Sequence, residues 1–238
     1  MQIALIGYGK MGKTIEKLAL ENGHEIVLTI DQDNPDDLHN GHLAKADVAI
    51  EFTRPVSAFE NLKACILQGV PVVSGTTGWL DRRPDLEQLV FQHEGAFFYA
   101  SNYSIGVNIF FRINQLLGKL ANGYPEYHIS MEEIHHTEKL DAPSGTAISL
   151  ANDLIKVIDH KSAWVNATEH AENEIPIVSK RFPKVPGTHR VRIESKIDTI
   201  EISHEAYSRA GFAQGALRAA EWIIGKKGVF GMTDLLGF

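Results

Sequence analysis

The chain has 238 residues, of which 44% are apolar and 22% charged, with a net charge of −7. That length buries a substantial core in one large or two small domains. The negative balance argues against a nucleic-acid partner, which needs clustered Lys and Arg. No apolar run approaches the roughly 20 residues that cross a bilayer, and residues 1–7 lack the basic start and long apolar core of a signal peptide. The single cysteine, Cys65, leaves no intrachain disulfide and fits a reducing, cytoplasmic setting. Cys65 lies in an apolar-periodic segment, so packing is its expected role.

The first half alternates strands and helices. A short apolar run at 2–6 leads through Gly7-Tyr8-Gly9-Lys10-Met11-Gly12 into an amphipathic helix expected at 13–22. Strand, glycine turn and helix in that order form a dinucleotide fingerprint. Gly7 allows the tight turn, Gly9 lets a pyrophosphate approach the backbone, and Gly12 lets helix pack on strand. A second strand at 25–30 ends at Asp31, about 20 residues beyond the glycines, where an acid holds a ribose 2′-hydroxyl. A carboxylate there repels a 2′-phosphate, so NADH is favoured over NADPH, with some activity expected from both. Further strands are expected at 48–50, 70–73 and 96–99, with helices at 56–68 and 85–93 between them. Small and hydroxyl residues bunch after these strands, at the carboxyl ends where open α/β sheets bind ligands. Alternation stops near Ser104.

The second half changes character. A helix at 107–120 precedes a strand at 127–134, a polar stretch, and a helix at 147–158. Strand candidates follow at 175–179, 189–195 and 199–206, the last two alternating polar and apolar residues as half-exposed antiparallel strands do. Arg209-Ala210-Gly211-Phe212-Ala213 opens the last helix, at 214–224. The fold class read from this is α/β: a Rossmann-type parallel-sheet domain at 1–104 and 212–238, and a smaller α+β domain with a mixed or antiparallel sheet at 105–211.

The densest chemistry lies at residues 132–147. It holds His135, His136, Lys139, four acids and a Pro-Ser-Gly-Thr turn. Histidine exchanges protons near neutrality. Lysine supplies a cation, and Gly-Thr at a helix start offers backbone N–H groups to an anion. Together they read as a site for a small carboxylate that is protonated during reaction. The His-Glu-x-x-His spacing of zinc helices is absent and no cysteine is near, so no metal is expected. His189, His204 and the other isolated histidines read as surface or structural residues.

The run Glu133-Ile134-His135-His136-Thr137-Glu138-Lys139-Leu140-Asp141-Ala142-Pro143-Ser144-Gly145-Thr146-Ala147 resembles the signature of the dihydrodipicolinate reductase family. Glu51-Phe52-Thr53, Gly75-Thr76-Thr77-Gly78 and Asn102-Tyr103-Ser104-Ile105-Gly106-Val107-Asn108 resemble further motifs of that family, Tyr103 standing where it has Phe. The resemblance implies NAD(P)H-dependent reduction of 4-hydroxy-tetrahydrodipicolinate, a cyclic imine dicarboxylate, in lysine and diaminopimelate synthesis. It implies His135 as general acid/base, Lys139 as carboxylate holder and proton source, and His136, Gly145 and Thr146 as carboxylate grips. If the chain were helical there, His135 and Lys139 would share a face. On the dinucleotide side it implies Gly7, Tyr8, Gly9, Lys10, Met11, Gly12, Asp31, Phe52, Thr53, Gly75, Thr76, Thr77, Ala100, Ser101, Asn102 and Tyr103. It also implies a homotetramer, a last helix returning to the first domain, and a C-terminal strand at 231–236. The chain departs from many members in a glycine turn one residue shorter and a short segment after Asp31, both of which bear on cofactor choice. Other readings of the first domain are an aspartate or diaminopimelate dehydrogenase, or a dinucleotide sensor without catalysis; neither needs the His-His-x-x-Lys run.

Overall fold

The structure, a computed structural model, describes residues 1–208 and 210–238. Arg209, placed by sequence at the opening of the last helix, lies outside the described residues. The chain divides into two compact units, Met1–Ile105 with Ala210–Phe238, and Gly106–Arg209.

In the first unit, β1 (Gln2–Ile6), β2 (Glu25–Ile30), β3 (Val48–Glu51), β4 (Val72–Ser74) and β5 (Ala96–Tyr99) alternate with α1 (Lys10–Glu21), α2 (Pro55–Leu67) and α3 (Arg83–Gln92). All strands are parallel, and β11 (Gly228–Phe230), late in the chain, completes the order β11-β5-β4-β3-β1-β2. Successive strand residues face opposite sides, and both sides are covered. Ala4, Ile6, Ala49, Val72 and Phe97 pack with Phe59, Leu62, Cys65, Leu86 and Val90 from α2 and α3. Ile3, Leu5, Val48, Ile50, Val73 and Phe98 pack on the other face with Ile15 and Ala19 of α1 and Ala213 to Ile223 of α6 (Ala210–Ile223). This double covering is why the strands read as continuous apolar runs. Cys65 is fully buried, and burial pushes its thiol up, away from reactivity.

Several element ends differ from the sequence reading by a few residues, and two of the differences have a clear physical cause. Helix α1 starts at Lys10 rather than 13, so Gly12 sits inside its first turn; glycine's poor helix propensity hid that turn. The strand expected at 231–236 is a short helix, α7 (Met232–Leu236), and the strand is the preceding Gly228–Phe230. Asp234 Oδ2 accepts from Gly231 N at 2.8 Å, which caps a helix start and turns the apolar run out of the sheet.

The second unit holds α4 (Ile105–Ala121), β6 (His128–His135), α5 (Gly145–Ile155), β7 (Ala163–Val165), β8 (Glu174–Arg181), β9 (Gly187–Glu194) and β10 (Thr199–Ala206). The sheet order is β10-β9-β6-β8-β7. β9 runs antiparallel to β6 and β10, while β8 runs parallel to β6 and β7. The short β7 had no counterpart in the sequence reading. One sheet face packs under Phe110 of α4 and Leu150, Ala151 and Leu154 of α5, onto Ile129, Met131, Ile177, Val191 and Ile193. The two helices are tied by Asn114 Nδ2, which donates to Leu150 O at 3.0 Å. The opposite face is polar, with Glu132 joined to Lys180 and, at 2.8 Å, to Arg190. Among the described residues no helix is long and apolar enough to cross a membrane.

Candidate functional site

In the first unit the chain leaves β1 for the edge strand β2, then returns to β3 on the other side of β1. This reversal makes a crevice at the carboxyl ends of β1 and β3, where open α/β sheets bind ligands. Gly7 takes φ +98°, a left-handed value that glycine adopts without strain, and a Cβ there would stand 2.0 Å from Phe52 O. A Cβ on Gly12 would stand 2.2 Å from Gly7 O, so α1 lies flush on the turn. Gly9 caps the helix with open space around its missing side chain. Tyr8 donates to Glu16 across the first turns of α1, and the amine of Lys13 lies 5.5 Å from its ring centroid. Lys10 is exposed, and Met11 packs partly against the core.

Glu51, at the end of β3, organises the neighbouring turns. Its side chain is fully buried and accepts from Ser74 Oγ at 2.6 Å, Thr76 Oγ1 at 2.8 Å, Thr53 N at 3.0 Å and the Thr53 hydroxyl. Burial raises its carboxyl above the usual range, against the pull of these donors. Thr53 N also donates to Thr76 Oγ1 at 2.7 Å. The Tyr103 hydroxyl donates to Ser74 O at 2.6 Å, and its ring lies 5.8 Å from that of Phe52. Phe52, Thr53, Gly75, Thr76, Ala100 and Tyr103 are thus brought together at the ends of β3, β4 and β5. Thr77 and Ser101 are exposed on the same turns, and Asn102 Oδ1 accepts from Ser104 N at 2.9 Å. Tyr103 is only 1% exposed, so its side chain is part of the packing under these turns. Asp31 is exposed past β2, where its Oδ1 accepts from Asp33 N at 2.8 Å. Sequence reading passed over Glu51 as an anchor; an acid ending an apolar strand was the available signal.

In the second unit the signature is a strand end and a loop. His135 closes β6, and Lys139 N donates back to His136 O at 3.1 Å in a turn, so the helical face considered for His135 and Lys139 does not exist. The strand instead pairs His135 with Glu133, two residues back on the same face. Glu133 meets His135 Nδ1 through one oxygen and Arg181 Nη1 at 2.9 Å through the other. The Arg181 guanidinium also donates to the carbonyls of Lys139 at 3.3 Å and Asp141 at 2.7 Å, fastening the loop to the strand. Lys139 Nζ donates to both carboxylate oxygens of Asp141 at 2.8 Å, which lowers that carboxyl. His136 is half-buried and lines a hollow with Thr137, Glu138 and Pro183 to Pro186.

The Ala142–Pro143 peptide is cis, and Ser144 then caps α5, its Oγ accepting from Ala147 N at 3.2 Å. Gly145 and Thr146 are the first residues of the helix, where N–H groups have no preceding carbonyl to bond. Ser144 Oγ also lies 3.1 Å from His189 Nε2. His189 pairs across β6 and β9 with Glu133, and its ring centroid is 5.1 Å from that of His135. Burial, reinforced by the nearby His135, depresses His189 to about 3, so it is neutral. Arg181 and His189 were both missed as site residues, because each comes from a strand more than 40 residues away in sequence. Glu133, His135 and His189 place ligand atoms within 4.8 Å of one another.

A doubly covered parallel sheet with a glycine turn at its switch point, in one chain with a mixed-sheet unit, defines a two-domain protein with a Rossmann-type dinucleotide-binding fold. Aspartate dehydrogenase from Thermotoga maritima shares this fold, with a TM-score of 0.51 at 16% identity over 95% of this chain and 97% of its own. Residues 1–103 match the family described as dihydrodipicolinate reductase, N-terminus, and residues 106–236 the corresponding C-terminus. The chain belongs to the dihydrodipicolinate reductase family. It is 48% identical, over 99% of its length and 98% of the relative's, to the 4-hydroxy-tetrahydrodipicolinate reductase of Christiangramia forsetii. The corresponding reductase of Methanoregula boonei is 36% identical over 81% of this chain and 76% of its own. A dipicolinate-bound dihydrodipicolinate reductase from Paenisporosarcina sp. TG-14 superposes with a TM-score of 0.79 at 25% identity, covering 98% of both chains.

Proposed function

We propose that this protein reduces 4-hydroxy-tetrahydrodipicolinate to tetrahydrodipicolinate with NADH or NADPH, in lysine and diaminopimelate synthesis. The observation that carries this is similarity running through both units to a reductase of that name, at 48% identity over 99% of the chain. The unit formed by residues 1–105 and 210–238 binds dinucleotide, and the other binds substrate and joins subunits into a cytoplasmic homotetramer.

The turn at Gly7, the flush packing of Gly12 and the open space at Gly9 fit a pyrophosphate at the start of α1. Tyr8, Lys10 and Met11 border that position. Asp31 holds the ribose 2′-hydroxyl, which favours NADH. Phe52, Thr53, Gly75, Thr76, Thr77, Ala100, Ser101 and Asn102 line the nicotinamide side, and Tyr103 fixes the β4 turn beneath them. The nicotinamide supplies a hydride when bound.

The protein's own residues supply the proton and hold the dicarboxylate. After loss of water the substrate presents a conjugated C=C–C=N. Hydride adds to the carbon end, the electron pair moves toward the ring nitrogen, and a proton completes the reduction. His135 acts as general acid/base for that proton. Lys139 holds one carboxylate and assists the transfer; its present bond to Asp141 is with another carboxylate, which the substrate displaces. His136, Gly145 and Thr146 hold the other carboxylate at the start of α5.

A coupled assay tests the reading. The substrate is made in place from pyruvate and aspartate semialdehyde by the preceding synthase, and oxidation of NADH and NADPH is followed separately. Oxidation is expected only with both enzymes present, and faster with NADH. No oxidation by folded protein that binds dinucleotide would overturn the function, and a clear NADPH preference would overturn the role given to Asp31.

A further inference from the structure

Glu133 and His135 alternate with Ile134 on β6, so the strand period of two turns both side chains to the same face. Glu133 is 0% exposed and His135 8%. A buried carboxyl alone would shift upward, but donors surround this one. His135 Nδ1 meets one oxygen, Arg181 Nη1 lies 2.9 Å from the other, and Ser179 is its partner across the strand pair. Together they outweigh burial and hold Glu133 down to about 2, so it is a carboxylate at any working pH. An ionised carboxylate accepts hydrogen bonds and donates none. Nδ1 of His135 must therefore carry the hydrogen, which leaves Nε2 to exchange a proton. Nε2 lies beside Gly187, where a Cβ would come within 3.0 Å of it, so the lack of a side chain keeps space at that nitrogen.

The geometry points to Glu133 as a positioning residue that fixes the ring orientation and Nδ1–H tautomer of His135, leaving Nε2 as the proton-exchanging atom. The inference rests on His135 being the general acid/base. A cation bound by Glu133, His135 and His189 is the competing use of the cluster. It is disfavoured because the Arg181 guanidinium already occupies Glu133, and a metal would sit beside that fixed charge.

The test combines nitrogen-15 NMR of histidine-labelled full-length protein with kinetics in the coupled assay. The His135 ring signal is identified by its loss in His135→Gln. In the unsubstituted protein the neutral ring is expected in the Nδ1–H form; an Nε2–H form there would overturn the inference without any variant at residue 133. In Glu133→Gln the amide oxygen stays on Arg181 and the amide NH₂ faces His135, so the tautomer is expected to flip. kcat should then fall roughly 10²- to 10³-fold with little change in KM. Glu133→Asp, which keeps the anion, should retain the Nδ1–H form and recover most of kcat. Folding of the second unit is checked by the dispersion of the other histidine ring signals, His189 among them, and by thermal melts. Unchanged kcat in folded Glu133→Gln, or a fall in kcat without the tautomer flip, would overturn the inference. Unchanged kcat in His135→Gln would instead overturn the role of His135 itself, whatever Glu133 does.

Discussion

Gly75 lies flush on the ring of Phe52: a Cβ at residue 75 would stand 2.0 Å from Cε1 and 2.4 Å from Cζ. The turns after β3 and β4 are therefore seated on each other, and the Glu51 hydrogen bonds lock them from below. Gly75→Ala would push the Phe52 ring out of place, in a region where overpacking costs about 1–3 kcal/mol. The expected outcome is a lower Tm and an NADH affinity about tenfold weaker, equivalent to about 1.4 kcal/mol. Thermal melts and titration calorimetry check both. An affinity unchanged despite a lower Tm would separate these turns from dinucleotide binding.

Arg181 reaches one buried carboxylate and two loop carbonyls with a single planar group. Arg181→Met keeps the aliphatic stem and removes every donor. The loop carrying Lys139 should loosen, raising KM for substrate about tenfold or more. Arg181→Lys should recover little of this, because an ammonium cannot match the fork. Steady-state kinetics on the two variants decide it; full recovery by lysine would reduce the interaction to simple charge.

Acid should weaken the second unit through His189. Its folded value of about 3 lies below the ordinary 6.5, so the unfolded chain takes up the proton first. The contribution is fully present above pH 6.5 and is lost as pH falls toward 3, on the order of 5 kcal/mol in all. Glu133 acts in the same direction but lower, losing its contribution from about 4.5 toward 2. Glu51 has the opposite sign: its raised carboxyl favours the fold at acid pH and loses that contribution as pH rises. His204, lowered by burial and paired with His189 across β9 and β10, adds to the His189 effect. Urea midpoints should therefore drop from pH 6.5 downward, and His189→Gln should flatten the profile between 6.5 and 4.5 and lessen, without abolishing, the fall below 4.5, where Glu133 also takes up its proton. An identical profile in the variant would assign the loss to other groups.

Much of the first unit was legible because its determinants are local. An apolar run buried on both faces, a glycine turn and an amphipathic helix each declare themselves within about ten residues. Errors arose where local signals conflict. Gly12 looked like loop but sits in α1, since its lack of a side chain is what lets the helix lie on Gly7. The apolar 231–236 run looked like strand, but Asp234 caps it into α7.

The sequence by itself determined the Rossmann-type alternation, the family resemblance and the location of His135, Lys139 and the Pro-Ser-Gly-Thr turn, because each is written in contiguous residues. Only the tertiary structure decided what stands behind them. Arg181 and His189 arrive from β8 and β9 through strand pairing, and Glu133 becomes their common partner only once β6 lies between those strands. The charge state of a buried group depends on the neighbours that pairing brings, and sequence spacing carries no record of such non-local contacts.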